Sequence, residues 1–417
     1  MDESLFNRLK SLGVQLGASQ STPPSKKDAT AIPIENVVPG KEYPTIFGGT
    51  YLVENCYPAS YSHGNIAMNN PVDLTALLNW SRLSDSGLNL REKFLFLDTE
   101  TSGLIGGAGT IVFMVGLGYW QGDEYRLTQL FLRDPEEEPS FLTALEEIIT
   151  AFPVLVTYNG KSFDAPLLNN RFILNGFKSP LREKHHIDLL SLTRRVWRNR
   201  LESRSLGNLE QEILTVSRGQ EEIPGWMVPE LYFQYLQTRN ASPLSGVFYH
   251  NQMDILSLSA LFLHLADLLM DPLRSEHPQS LDTAAIARLY EELGNFDKAV
   301  ALYEASLNMG LPRHYFIQTL YRFADLRRKS GSWEEAQQLW SKAAEYHEVE
   351  ACIELAKHAE HRQKNPEDAI VWAVKALSHL DECPLPKYAK KQKRAEIEHR
   401  IHRLRSKINA RRDVAAQ

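Results

Sequence analysis

At 417 residues, with 43% hydrophobic and 24% charged, the chain has the composition of an ordinary globular protein with room for two or three domains, which excludes fibrous and disordered classes. A formal net charge of -6 and a pI near 6.1 exclude a globally basic nucleic-acid binder, so any such partner has to be held by a local basic surface or by metal ions. Cys56, Cys352 and Cys383 lie too far apart for a metal pair and suit a reducing compartment, MDESLFNRLK has no signal pattern, and no apolar run approaches the ~18 residues of a membrane span; the expectation is a cytoplasmic protein with no membrane contact.

Residues 2–13 have the apolar spacing of a short amphipathic helix, followed by a Ser-, Pro- and Lys-rich linker; together they make an N-terminal segment over 1–38. Residues 39–90 form a β-rich extension of short runs such as TIFGGTYLVENCY, to which no chemistry can be assigned. From 91 to 270 the pattern is α/β: FLFLD, TIVFMVGLGYW, YRLTQLFL and VLVTY read as strands, SFLTALEEIITAF and roughly 164–175 as helices, giving a mixed sheet with flanking helices. Residues 280–380 are helical and self-similar: Ala287, Gly294, Ala299 and Tyr303 recur 37 residues later as Ala324, Gly331, Ala336 and Trp340, and Ala369 follows Ala336 by 33. Small residues at helix contacts with a Gly between resemble the tetratricopeptide repeat, whose period is about 34. The tail over 387–417 is basic, with eleven Lys/Arg against two Glu between 387 and 412, and reads as a charged helix.

The chemistry starts at Asp98-Thr99-Glu100. Residues i and i+2 of a strand share a face, so two hard carboxylates leave the end of a buried strand together, as a Mg²⁺ ion requires; alone, such a pair is more often a solvated turn. Next, VLVTY leads into Asn159-Gly160-Lys161-Ser162-Phe163-Asp164, with Ser162 as N-cap and Pro166 in the first helical turn. This sets Asp164 at a helix start beside a strand's C-terminal end, where α/β sheets bind ligands and where an Asp also simply favours the helix dipole. Finally, Tyr249-His250-Asn251-Gln252-Met253-Asp254 opens a helix, with His250 and Asp254 four apart on one face. A His beside a metal carboxylate can take a proton from water; the lesser alternative, once the other motifs are counted, is a His that merely caps or packs.

The order DxE, N-x3-F-D, H-x3-D resembles the three motifs of the DEDD exonuclease superfamily within the RNase H-like folds. NGKSFDAPLLNNRF is similar to the second motif of family B polymerase exonuclease domains. With GGAGTIVFMVGLGYW, HIDLL, SLGNLE, IPGWMVPELYFQYL and HNQMDILSL, the chain resembles the YprB-type RNase H-like proteins over roughly 40–270. The resemblance implies an RNase H-like fold and a 3′→5′ exonuclease acting on the 3′ end of DNA or RNA. It implies two Mg²⁺ or Mn²⁺ ions on Asp98, Glu100, Asp164 and Asp254. The family's base stands five residues before the last Asp in the His branch and four in the Tyr branch. Here Tyr249 holds the first spacing and His250 the second, so His250 is the expected base on pKa and helix-face grounds, with Tyr249 as alternative.

Thr99, Asn159 and Tyr249 are expected at the substrate, Asn159 by fixing the loop of Asp164, while Asp188 caps the following helix or adds a carboxylate. Arg194, Arg195, Arg198, Arg200 and Arg204 around Trp197 suit single-strand binding, with phosphates on Arg and a base on Trp, or else a solvated helix face. The glycines of 103–109 lack a GK[ST] ending and a following helix, so they read as a loop between strands. The repeats are expected to take a protein or peptide, or to support the catalytic domain; the tail either contacts nucleic-acid backbone or is solvated. Competing functions are an RNase H-type endonuclease and a non-catalytic nucleic-acid-binding adaptor.

Overall fold

A computed structural model describes residues 31–83, 87–103, 109–274 and 278–415. The helix expected at 2–13, most of the linker and the interior of the 103–109 loop lie outside the described residues. The end of the segment expected as linker is tied to the fold: Ile34 is buried and Ile32 bridges Asn240.

A seven-stranded sheet organises the first part of the chain. Its strands are β1 (Lys41–Thr45), β2 (Gly48–Tyr57), β5 (Phe94–Thr101), β6 (Val112–Gln121), β7 (Glu124–Phe131), β8 (Val154–Thr157) and β9 (His185–Asp188), in the order β1-β2-β7-β6-β5-β8-β9. The strands β3 (Ser62–His63) and β4 (Ile66–Ala67) form a separate hairpin. β5 lies antiparallel to β6 and parallel to β8, and β8 is parallel to β9, so the sheet is mixed as the sequence predicts. Residues 39–90 do not stand apart from this sheet, because β2 pairs along β7 and extends it.

Around the sheet lie α1 (Thr75–Trp80), α2 (Glu138–Thr150), α3 (Asp164–Leu174), α4 (Leu189–Trp197), α5 (Leu206–Glu212), α6 (Val228–Thr238) and α7 (Leu244–Met270). The sheet has one apolar cluster on each side. Phe94, Phe96 and Trp120 pack under α7, and Leu95, Leu97, Phe113 and Phe131 pack under α2 and α6. By length and composition α7 could cross a membrane, yet 72% of its apolar 18-residue window is buried inside the fold, as in a core helix. Counting uninterrupted apolar residues misses this stretch because isolated polar residues punctuate it.

The remainder is helical: α8 (Ser280–Glu292), α9 (Phe296–Asn308), α10 (Arg313–Lys329), α11 (Trp333–Glu345), α12 (Val349–His361), α13 (Pro366–Glu382) and α14 (Lys387–Ala415). Successive helices pair, and Ala287, Ala299, Ala324, Ala336 and Ala369 are all fully buried where the helices meet. The sharp turns between partners use Gly294 at φ 77° and Gly331 at φ 87°, each followed by the N-cap residue of the next helix, Asn295 or Ser332. The third pair has no glycine there and holds Lys364 at φ 54° before Asn365. α14 seals the last pair with Ile397, Ile401 and Leu404, and turns Arg400, Arg403 and Lys407 onto the buried carboxylate of Glu360.

The two parts share one core, in which Trp197 and Leu261 belong to the same cluster as Ile286 and Tyr303. Asp282 of α8 accepts from the buried Trp197 Nε1 at 3.1 Å and from Arg200 Nε at 2.9 Å. Trp197 is therefore a joint between the two parts and offers no face for a nucleic-acid base, contrary to the stacking role read from its neighbours.

Candidate active site

β5 carries Asp98 and Glu100 on one face at its C-terminal end, and α7 crosses close to that face. The closeness is set by Asn251, which is fully buried. Its Nδ2 donates to Asp98 Oδ2 at 3.1 Å, and its Oδ1 accepts from Gln129 Nε2 of β7 at 3.0 Å. Gly116, opposite Asp98 on β6, makes the approach feasible: a Cβ there would fall 2.3 Å from Asn251 Oδ1.

Asp164 opens α3, and the Thr99 hydroxyl donates to its carboxylate. Ser162 is not the N-cap: that position is held by Phe163, with no side-chain cap. The preceding loop turns at Asn159, φ 66°, and is fastened by Asp188, which accepts the N–H of Asn159 at 2.8 Å and of Lys161 at 3.1 Å. Asp188 also caps α4 through Leu190 N–H at 3.1 Å, so one buried carboxylate sets the loop that presents Asp164.

His250 and Asp254 do not open α7 but lie in its second and third turns, since the helix begins at Leu244. His250 Nε2 stands 3.5 Å from Asp254 Oδ2, and its Nδ1 stands 2.6 Å from Glu222 Oε1. Glu100, His250 and Asp254 offer ligand atoms that all lie within 4.8 Å of one another. Tyr249 points elsewhere, its hydroxyl accepting the Gly219 N–H at 2.7 Å.

Burial pushes the carboxyls of Asp98 and Glu100 well above the usual range, and the neighbouring Asp254 and Asp164 add to the rise. Burial also raises Asp164, against the Thr99 hydrogen bond, and Asp254, against Arg218 and His250. Arg218 is bound to Asp254, Glu210 and Glu222. Burial opposes its charge, but the carboxylates around it hold its pKa above the ordinary value. Among the described residues no Lys or Arg pairs with Asp98, Glu100 or Asp164. Several buried hard oxygen donors short of positive charge fit a divalent cation of the Mg²⁺ kind.

The structure thus brings together Asp98, Thr99, Glu100, Asp164, His250 and Asp254. Asp98, Asn159, Arg194 and Asp254 line one cleft of about 580 Å³ over the site. Arg195 points away from that cleft, onto Glu292. Sequence reading missed Asn251, Arg218 and Glu222. Asn251 had a signal, lying within the His250–Asp254 motif one turn before the last Asp. Arg218 and Glu222 had none, because they sit in an irregular polar stretch.

A sheet ordered β7-β6-β5-β8-β9, with carboxylates at the end of its central strand and on a crossing helix, defines an RNase H-like protein, and the RNase H superfamily profile matches residues 95–266. The chain belongs to that superfamily, among the YprB-type proteins. It is 34% identical over 354 residues to the uncharacterized protein YprB of Bacillus subtilis (strain 168), covering 80% of this chain and 82% of that one. Membership supports a nuclease-type function and a nucleic-acid substrate.

Proposed function

We propose that the protein is a metal-dependent 3′→5′ exonuclease that hydrolyses phosphodiester bonds of single-stranded nucleic acid. The observation that carries this reading is the convergence of Asp98, Glu100, Asp164 and Asp254, from β5, α3 and α7, with His250 against Asp254. These four carboxylates would hold two Mg²⁺ or Mn²⁺ ions, which when bound lower the pKa of water and neutralise charge on the phosphate. The chain's own residues do the rest. His250 Nδ1 lies 2.6 Å from Glu222 Oε1 and 3.2 Å from Arg218 Nη1; the closer carboxylate favours a proton on Nδ1, which leaves Nε2 free to accept the proton of the attacking water. Thr99 orients Asp164, Asn251 orients Asp98, and Arg218 favours the ionised form of Asp254, against burial, while satisfying Glu210.

The test is a time course on 5′-labelled single-stranded DNA and RNA with Mg²⁺, Mn²⁺ or EDTA, beside the double variant Asp98→Ala, Glu100→Ala. A metal-dependent ladder shortening from the 3′ end and absent in the variant is the expected result. Internal cuts identify an RNase H-type endonuclease instead, and nucleic-acid binding with no cleavage of any strand, duplex or hybrid identifies an adaptor.

A further inference from the structure

A second cleft, of about 960 Å³, lies between α4 and the first helix pairs. Its walls carry Arg194, Arg195, Arg198 and Arg204 on the catalytic side and Arg288 and Arg322 on the repeat side, with no Asp or Glu in the lining. Arg195 and Arg288 share Glu292 just outside it, and Arg322 faces Glu291 at 3.7 Å. Arg194 and Arg198 have no acidic partner among the described residues, and Arg204 donates only to the backbone oxygens of Leu201 and Glu202, each at 2.8 Å. Six guanidinium groups against two adjoining carboxylates leave a strong positive field, in a chain whose net charge is negative. Exposed His314 and half-buried Tyr315 add rings to the repeat wall.

Two residues decide what fits there. Arg194 and Arg204 line this cleft and also the one over Asp98 and Asp254, so the cationic cleft opens onto the carboxylate site. A ligand occupying both must be a polyanion whose end reaches the carboxylates. The joint around Trp197, Asp282 and Arg200 keeps the two walls in register.

We propose that α8 and α10 form one wall of a single-strand channel, in which the arginines hold the phosphates of the strand 5′ to the 3′ end lying in the site. The inference rests on the nuclease reading for the identity of the polyanion. It reassigns this face of the repeats, expected from sequence to take a protein or peptide, to the substrate. The volume is that of a pocket for a few nucleotides, too small for a duplex, and rings beside arginines suit unstacked bases.

The test uses the full chain, without cleavage, by fluorescence anisotropy of a labelled 20-mer of thymidine or uridine in EDTA between 50 and 200 mM salt (about the range over which phosphate binding registers). In the Arg198→Glu, Arg288→Glu variant, affinity should fall by about tenfold or more, and the salt slope should drop by roughly 0.7 for each phosphate no longer neutralised. Mn²⁺-dependent hydrolysis of bis-p-nitrophenyl phosphate, too small to reach the channel, should stay at the wild-type rate and shows that the variant is folded. If the Glu variant loses that rate too, Arg198→Gln with Arg288→Gln replaces it. Wild-type affinity and slope in a folded variant would overturn the channel. So would a wild-type protein that hydrolyses the ester but does not bind the 20-mer. Weakened binding in a variant that keeps the wild-type circular dichroism, in a protein that cleaves neither the ester nor any nucleic acid, sustains the channel and defeats the nuclease reading.

Discussion

Asp98 depends on a residue with no side chain. Replacing Gly116 by Ala puts a Cβ 2.3 Å from Asn251 Oδ1 and 2.8 Å from Ile255, so α7 must retreat from β5. The expected cost is about 1–3 kcal/mol in urea unfolding, with a larger proportional loss of nuclease activity because Asn251 and Asp254 move with the helix. An active, equally stable variant would show that this close approach does not set the site. His250→Asn should lower kcat by about 10²–10⁴, Glu222→Gln less, while Tyr249→Phe stays near wild type because its hydroxyl meets the loop at Gly219. Steady-state rates in the three variants decide between the two bases, and a Tyr249 effect larger than the His250 effect contradicts the assignment of His250. The four carboxylates and His250 were legible in sequence because each abuts an apolar run with a clear period. Arg218 and Glu222 were not. Their stretch has no period, and its position depends on distant partners, such as Leu214 O, which accepts the Asn65 N–H at 2.9 Å.

The strands around β5 and the helix pairs follow directly from hydrophobic period and from the 37-residue recurrence, so at the scale of elements the sequence was largely readable. What escaped was partnership. Nothing in TIFGGTYLVENCY says that β2 will pair with β7, nor that Tyr57 will accept from Gln252 of α7 at 2.6 Å, because strand pairing over such a separation is a tertiary choice. The third helix pair looked irregular for a physical reason, since Lys364 stands at φ 54° where the other pairs have glycine. Lys364→Gly should remove that left-handed strain and raise stability by about 0.5–1 kcal/mol, after allowance for the freer unfolded chain. A lower denaturation midpoint in this variant would show that the turn is not strained.

At the scale of the whole molecule, the shared core should make the repeats and the sheet unfold together. Asp282 is 5% exposed and holds both Trp197 and Arg200. Asp282→Ala should cost about 2–3 kcal/mol by leaving Arg200 half-buried and unpaired. It should also split the denaturation curve into two transitions; a single unshifted transition would mean that the joint carries no coupling. Acid should act on the same body through histidines. Burial lowers His63, His186 and His264 to about 4 from an ordinary 6.5, so the unfolded chain binds their protons first. Their stabilising contribution is complete above about pH 6.5 and is lost as pH falls toward 4. His264→Gln should therefore lose less stability between pH 7 and pH 5 than the wild type; an equal or larger loss contradicts the assignment.

The proposed function requires that the carboxylates at the end of β5, which are buried and have no Lys or Arg partner among the described residues, bind metal. Anomalous diffraction from crystals soaked in Mn²⁺ tests this most directly, beside crystals of Asp98→Asn. Strong peaks bounded by Asp98, Glu100, Asp164 and Asp254 are predicted in the wild type, weakened or lost in the variant. Clear diffraction with no peak there, and Arg218 still on Asp254 at saturating Mn²⁺, would contradict it.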